Sequence, residues 1–425
     1  MPCTSKHRVP ISAEFSWVSK VRESRKQART IHEFTRTARK PSAKLFFFRA
    51  TSCELVDRTR GSKQIGQSAK VAGDLKIRKL LMYGSGKRYE DLCAIYVDLG
   101  TSSTRVWLMR GTAILTRVKK PVGVSDTARD GSNIRIRAML KESIEDVLNQ
   151  INDTSCLPAC VAAAGMISSL QGLVELPHVS APAGIRELAA GARWFEFPEI
   201  TDLPFLLVPG VRTGPIALTP STLAESDVMR GEETLCLGLS VLGVIAPESL
   251  VLSLGSHWKS IRLNAEGQIQ SSITSLSGEL IRAAQTQTIL ASSVSSDWPE
   301  EFDHEWLIAG MTQQRRSGLS RALFCVRLMA LANLGTAVDR FSFLMGAFIA
   351  DDLDALIAQG ILTASTEVAI SGNQATARAC QAALAQLSVR AVVLTAEEIE
   401  KGFLAGLGPV LSQAISARCT EARAI

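Results

Sequence analysis

Short apolar runs that end in glycine and hydroxyl residues alternate with helical patterns along most of the chain, beginning near residue 92. The first run, residues 95–97, ends in Asp98 and leads into a turn of Gly100, Thr101 and Ser102, after which an extended pattern resumes. This predicts a strand, a polar turn and a second strand. Such a turn can direct N–H and O–H donors at phosphate oxygens, and a carboxylate at the strand end can hold Mg²⁺ through water. An ordinary hairpin with a polar turn explains these residues equally well.

A similar pattern recurs in the second half of the chain. Residues 249–254 predict an apolar strand, and Gly255, Ser256 and Lys259 fall in the predicted turn that follows, residues 255–260. Two glycine-opened turns can face each other across a cleft and hold a polyphosphate from both sides, with Lys259 supplying positive charge. The pair is stronger evidence for a nucleotide site than either turn alone.

The remaining patterns predict an α/β protein. Apolar spacing predicts helices over residues 138–151, 232–239, 319–334, 340–356 and 375–387, and strands over residues 159–164, 204–208 and 367–373. The helix over 319–334 has Phe324, Arg327, Leu328 and Leu331 on one side, which predicts that this side packs into the core.

Three other segments could contact a ligand. The strand over residues 159–164 leads into a path rich in Gly, Ser and Pro, which fits a substrate loop and an ordinary surface loop equally well. Asp227 and Glu232 lie in a charged stretch where a helix is expected to begin near Asp227; either could be a carboxylate base, although a helix cap alone would explain Asp227. Gly372 and Asn373 form a strand-to-helix turn that would let a flat nucleobase approach the backbone.

Charge divides the chain into two parts. Residues 1–90 contain 21 Lys and Arg against 7 Asp and Glu, a charge of +14, whereas the rest contains 26 against 34, a charge of −8. The leader, residues 1–91, could be a disordered tail, a transit peptide, a nucleic-acid-binding arm, or sequence upstream of a start at Met82; we expect disorder and the Met82 start. Residues 84–87 imitate the end of a P-loop but lack its remaining residues.

The nine cysteines are scattered and odd in number, which predicts reduced thiols in a cytoplasmic protein. No stretch approaches the ~20 apolar residues that a membrane-spanning helix needs. No spacing typical of a zinc site occurs.

The body resembles the 2-dehydro-3-deoxygalactonokinase family, within the superfamily of actin, Hsp70 and sugar kinases. The resemblance spans roughly residues 92–408 and has no counterpart in the leader. It rests on DLGTSSTRVW (98–107), AGMISSLQGLVELPHVSAPAG (164–184), LVPGVRT (207–213), SDVMRGEETLCLG (226–238), LGSHWKSI (254–261), SLSGEL (275–280), ALFCVRL (322–328), FLMGAFIADDL (343–353) and ISGNQATARACQAAL (370–384).

This resemblance implies a two-lobed actin-like ATPase (ribonuclease H-like) fold, with a nucleotide cleft between an N-terminal lobe, residues 92–225, and a C-terminal lobe, residues 226–425. It implies ATP- and Mg²⁺-dependent phosphorylation of the 6-hydroxyl of 2-dehydro-3-deoxy-D-galactonate, a step in galactonate degradation. The implied partners are therefore ATP and a sugar acid, without a membrane; nucleic acid is not expected, and a homodimer stays open.

By position, the resemblance also implies roles for individual residues. The catalytic groups are Glu232 as first choice of base, Asp227 as second, and Asp98, which also faces the metal. The nucleotide contacts are Gly100, Thr101, Ser102, Gly255, Ser256, Lys259, Gly372 and Asn373. The acceptor contacts are Arg105, Gly165, Met166, Gln171, Ala183, Gly184 and Arg230.

The predicted substrate loop departs from the family pattern at Ser168, Leu170, Leu173 and His178. Leu170 and Leu173 stand where an Arg and an aromatic residue are expected, which removes groups that could bind an anionic sugar acid. An alternative is therefore a non-catalytic, sugar-responsive regulator whose basic leader contacts nucleic acid.

Overall fold

The computed structural model describes residues 70–71, 92–150 and 156–423. The strands are β1 (Lys70–Val71), β2 (Cys93–Leu99), β3 (Thr104–Arg110), β4 (Ala113–Lys120), β5 (Val161–Gly165), β6 (Val179–Ser180), β7 (Arg193–Phe197), β8 (Thr201–Leu207), β9 (Val211–Thr213), β10 (Asp227–Met229), β11 (Leu250–Leu254), β12 (Trp258–Leu263), β13 (Ile269–Ser275), β14 (Val368–Gly372) and β15 (Ala391–Val393).

The helices are α1 (Val124–Asp130), α2 (Ile134–Asn149), α3 (Ile185–Gly191), α4 (Glu232–Val241), α5 (Ser277–Gln287), α6 (His304–Ser317), α7 (Leu319–Leu331), α8 (Ala337–Ala358), α9 (Gln374–Gln386) and α10 (Ala396–Arg423). Single turns of 3₁₀ helix cover Met166–Ser168, Leu223–Glu225 and Ile289–Ser292. No helix in the described ranges combines the length and the apolarity needed to cross a membrane.

Two sheets share one topology. The first has the order β1-β7-β8-β5-β2-β3-β4, and the second has the order β13-β12-β11-β14-β15. In each, a three-stranded antiparallel meander (β2-β3-β4 or β11-β12-β13) is extended by two parallel strands beside its first strand (β5 and β8, or β14 and β15). This duplicated arrangement is the actin-like ATPase fold that the resemblance implies.

The helices pack in layers on both sheets. One core joins the facing sides of the sheets through α4 and α10, with Tyr96 and Trp107 from the first sheet and Val251 and Ile261 from the second. A second core packs α1 and α2 against the outer face of the first sheet, and a third packs α6, α8 and α9 against the outer face of the second. Because α4 and α10 lie between the sheets, the N-terminus of α4 reaches the edge where the strands of both sheets end.

A small third sheet, β6-β9-β10, connects residues on the two sides of the predicted lobe boundary. β10 pairs antiparallel with β9, so that Asp227 lies opposite Thr213. The boundary between residues 225 and 226 stays a prediction.

The strands and helices predicted from spacing are present, with ends shifted by a few residues, and three placements need correction. Lys259 was expected in a turn but lies in β12, because the second turn closes after His257. Asp227 was expected at a helix start but lies in β10, five residues before α4 begins at Glu232. The side of α7 with Phe324, Leu328 and Leu331 is 40–65% exposed instead of packed in the core.

The prediction of reduced cysteines is wrong at one pair: Cys93, at the start of β2, forms a disulfide with Cys156 before β5. Five other described cysteines are free thiols. Residues 84–87, Met82 and most of the leader lie outside the described residues. Within the leader, the described residues Lys70 and Val71 pair with β7.

Candidate active site

A cleft of about 590 Å³ opens where β2, β5, β11 and β14 end and α4 begins. This volume suits a ligand of nucleotide size. Most of the residues predicted for the site line it: Asp98, Gly100, Thr101, Ser102, Arg105, Met166, Arg230, Glu232, Gly255, Ser256, Lys259, Gly372 and Asn373.

The first hairpin places a carboxylate on the floor of the cleft. Asp98 is the penultimate residue of β2 and lies opposite Arg105 on β3, whose Nη2 donates to Asp98 Oδ2 at 2.5 Å. Burial raises the pKa of Asp98, while the Arg105 guanidinium opposes that rise and the charge of Glu232 adds to it. The Arg105 guanidinium also lies over the Trp107 ring, 5.8 Å from its centroid, which helps to fix its direction.

Each of the two predicted phosphate turns is supported by the N-terminus of a helix. The α1 amides of Val124 and Ser125 donate to the carbonyls of Gly100 and Thr101 at 3.2 and 2.9 Å. On the second turn, Glu279 N in α5 donates to Ser256 O at 2.8 Å. These contacts occupy the turn carbonyls and hold both turns in shape.

Glycines at the ends of β5 and β14 allow the strands to pass close to the turns. Gly165 and Gly372 have φ values of +86° and +150°, and a Cβ would lie 2.6 Å from Leu99 O at the first and 2.8 Å from Leu254 O at the second. A side chain at either position would therefore meet both backbone strain and a steric clash. Asn373 caps α9 by accepting from Ala375 N at 3.0 Å, so the predicted adenosine turn is the N-terminus of a helix.

Glu232 is the carboxylate best placed for acid–base chemistry. It is the first residue of α4, its Oε1 lies 2.9 Å from Lys259 Nζ, and its Oε2 is buried without a hydrogen-bond partner. The adjacent Glu233 points into the protein, where both of its oxygens accept from Gly231 N at 2.8 Å. Burial, reinforced by the charge of Glu232, raises the pKa of Glu233 to about 7.

Arg230 holds the start of the predicted substrate loop against the cleft. Its Nη1 donates to Ser168 Oγ at 3.1 Å and its Nη2 to Leu176 O at 2.7 Å. Burial lowers the pKa of His178 to about 4, and the positive charges of Arg230 and Arg212 add to this effect. His178 is therefore neutral at pH 7 and carries no charge toward an anion.

Several predicted residues do not line the cleft. Gly165 lies behind the cleft lining, where a Cβ would be 3.2 Å from Asp98 Oδ1, whereas Gln171 is exposed on the loop beyond. Ala183 pairs with Ile269, and Gly184 caps α3 at a separate surface hollow.

Asp227 is also occupied away from the cleft. Its Oδ2 accepts from Ser272 Oγ at 2.7 Å and from Thr274 Oγ1 at 2.9 Å, which fixes β10 against β13. This is a structural role that sequence reasoning did not anticipate.

The structure places the two leucines that depart from the family pattern away from the cleft. Leu173 is 2% exposed and packs in the core beneath the first sheet, so the aromatic residue expected there would not have faced the acceptor. Leu170 is 60% exposed and does not line the cleft.

Sequence reasoning missed four residues that shape the site. Gly123 and Gly278 let their helices approach the two turns closely. A Cβ would lie 2.4 Å from Thr101 O at Gly123 and 2.2 Å from Gly255 O at Gly278. His257 pairs with Glu279 at 3.1 Å beside the second turn, and Glu233 fixes Gly231 N. For the two glycines, the only local signal in the sequence was a glycine near the start of a helical pattern, as Gly278 is in residues 275–280.

Comparison with known proteins identifies the family. A family model for 2-keto-3-deoxy-galactonokinase matches residues 98–407, which is more than half of the chain. The chain belongs to this family. No curated protein matches the sequence significantly.

One solved structure supports the fold. A Sinorhizobium meliloti protein provisionally assigned as a 2-dehydro-3-deoxygalactonokinase superposes with a TM-score of 0.60 and 24% identity, over 74% of this chain and 95% of that one. The activator of 2-hydroxyisocaproyl-CoA dehydratase from Clostridium difficile, with bound ADPNP, superposes with a TM-score of 0.43 and 10% identity, over 77% of this chain and 97% of that one. Xylulose kinase from Lactobacillus acidophilus superposes with a TM-score of 0.42 and 10% identity, over 76% of this chain and 89% of that one. The last two similarities are too low to support an argument.

The donor groups of this cleft suit magnesium only together with phosphate oxygens. No group of three or more metal-ligating His, Cys, Asp or Glu residues occurs in the ranges that the structure describes. Mg²⁺ at nucleotide sites is held by one or two carboxylates plus phosphate oxygens and water. The single cleft-floor carboxylate of Asp98 fits this donor set.

Proposed function

We propose that the protein transfers the γ-phosphoryl group of ATP to the 6-hydroxyl of 2-dehydro-3-deoxy-D-galactonate, with Glu232 as the general base. The kinase family supports the reaction, and one observation supports the base: Glu232 Oε2 is buried at the cleft without a partner while Oε1 is held by Lys259. A base needs one free oxygen in a fixed direction to accept the hydroxyl proton.

Phosphoryl transfer depends mainly on positioning and on neutralising phosphate charge. Gly100, Thr101 and Ser102 would contact the phosphates from the first sheet, and Gly255 and Ser256 from the second. Mg²⁺, when bound, would neutralise phosphate charge, and Asp98 is the residue that would hold it. The Glu232 carboxylate would then take the proton from the acceptor hydroxyl as its oxygen bonds to the γ-phosphorus and the bond from that phosphorus to the leaving ADP oxygen breaks.

The acceptor is anionic, and two guanidinium groups line the cleft near Glu232. Arg105 is partly exposed, with 37% of its side chain accessible, and is directed by Trp107 and Asp98. Arg230 has two of its donors committed to Ser168 and Leu176, so its remaining N–H groups could bind the sugar acid. We assign Arg105 and Arg230 to the carboxylate end of the acceptor and Met166 to its carbon chain.

The site retains the groups that a catalyst needs, namely Asp98, Glu232 and Lys259, and this favours an enzyme over a sensor of sugar acids. A cytoplasmic location is proposed from the metabolic role of the family.

A coupled ADP-release assay of the full chain tests this proposal. With Mg-ATP and a panel of 2-keto-3-deoxy sugar acids, the wild-type protein should turn over the galactonate derivative, and Glu232→Gln should lower kcat by about 100-fold or more. Asp227→Asn serves as the matched carboxylate change outside the cleft and should lower kcat far less. Equal losses in the two variants would contradict the assignment of the base.

A further inference from the structure

The duplicated sheets place a cation at the same register position in each hairpin. In the first sheet Arg105, the second residue of β3, lies opposite Asp98, the penultimate residue of β2. In the second sheet Lys259, the second residue of β12, lies opposite Ser253, the penultimate residue of β11. Arg105 and Lys259 are therefore equivalent by fold, as are Asp98 and Ser253.

Arg105 and Lys259 have different partners because the residue opposite is Asp98 in the first hairpin and Ser253 in the second. Arg105 is paired with the carboxylate on its own neighbouring strand, at 2.5 Å. Ser253 offers Lys259 no charge, and the Lys259 ammonium lies instead 2.9 Å from Glu232 on α4. The second hairpin thus directs its cation to the proposed base.

Lys259 also borders the nucleotide side of the cleft. It follows the second phosphate turn by two residues, lines the same cleft as Gly255 and Ser256, and is only 8% exposed. A buried ammonium has few water molecules to bind, so an incoming polyphosphate is a strong competing partner.

We propose that Lys259 is shared between Glu232 and the nucleotide phosphates, so that nucleotide binding draws the cation away from Glu232 and frees that carboxylate to act as a base. This rests on the proposed function in its assignment of Glu232. The consequence is that Glu232 is neutralised by Lys259 before the nucleotide binds and becomes available once the phosphates are in place.

The local charges favour such sharing. Asp98 and Glu233 both sense the negative charge of Glu232. A polyphosphate would add further negative charge to this cluster, and Arg105 is already paired with Asp98. Lys259 is the cation positioned between the phosphate turn and Glu232.

Binding of ADP without acceptor tests the proposal independently of catalysis. Calorimetry on the full chain should show that Glu232→Gln tightens ADP binding about fivefold, which is the effect expected from no longer having to break one ion pair. Glu233→Gln is the matched control, because it removes a neighbouring carboxylate that does not contact Lys259, and it should change ADP binding less than about twofold.

A second pair of variants distinguishes the sharing of Lys259 from simple repulsion between Glu232 and the phosphates. With Lys259→Met, no ammonium remains to be released, so the gain from Glu232→Gln should disappear. Unchanged ADP affinity in Glu232→Gln, or an equal gain in the Lys259→Met background, would overturn the proposal.

Kinetics give a further readout that a purely structural role would not produce. Lys259→Arg should retain most of kcat, whereas Lys259→Met should both lower kcat and raise the KM for ATP. A rise in KM with unchanged kcat would mean that Lys259 serves the phosphates alone and would overturn the proposal. If the wild type turns over no acceptor while the ADP binding pattern holds, the proposed function fails and the sharing of Lys259 stands.

Discussion

Glu233 should make the stability of the protein fall as pH rises, and replacing it with glutamine should remove that dependence. Burial, reinforced by the charge of Glu232, raises the pKa of Glu233 from 4.5 to about 7 in the folded state. Between these values the folded protein holds a proton that the unfolded chain has lost. The free energy of unfolding therefore decreases with increasing pH through this window.

The size of the effect follows from the shift. One pKa unit corresponds to about 1.4 kcal/mol, so the Glu233 contribution should decrease by about 3 kcal/mol between pH 4.5 and pH 7 and then level off. Glu233→Gln cannot ionise but can still accept from Gly231 N. Its stability relative to wild type should therefore improve by about this amount over the same window.

Urea unfolding at pH 5, 6, 7 and 8 measures this difference, with the exposed Glu145→Gln as the control for removing a carboxylate. The control should run parallel to wild type at every pH. A constant difference between Glu233→Gln and wild type across the series would refute the reasoning, because it would mean that Glu233 ionises normally in the folded protein.

Three further predictions address the cleft. Asp98→Asn should lower kcat by about 100-fold or more and raise the Mg²⁺ concentration needed for half-maximal rate, measured by magnesium titration; an unchanged magnesium requirement would contradict its role. Gly372→Ala should destabilise the fold by about 2 kcal/mol in thermal unfolding and weaken ATP binding, because its Cβ would meet Leu254 O at a positive φ; wild-type stability would contradict this. Gln171→Ala should leave the KM for the acceptor within about twofold, since Gln171 is exposed away from the cleft, and a large rise would place the substrate loop in the site.

The hairpin with Asp98 could be predicted from sequence because its signals are local. An apolar run, a terminal carboxylate and a glycine-opened turn lie within a few residues, and the second hairpin repeats them. The family motifs then assigned most of the residues that the structure brings to the cleft.

Long-range pairing decided what the sequence did not show. Asp227 lies in a strand because β10 pairs with β9 across an intervening segment, and no local pattern specifies that partner. The Cys93–Cys156 disulfide joins residues 63 positions apart, so its formation depends on the tertiary fold. Helical spacing identified the apolar side of α7 but could not show that its Phe324, Leu328 and Leu331 remain partly exposed.

The most direct test of the central claim is the identity of the product. ³¹P NMR of the full chain incubated with Mg-ATP and 2-dehydro-3-deoxy-D-galactonate should show a new phosphate monoester on C6, and Glu232→Gln should form it at least about 100-fold more slowly. ATP consumption without a sugar phosphate, or equal rates in the wild type and Glu232→Gln, would contradict the account.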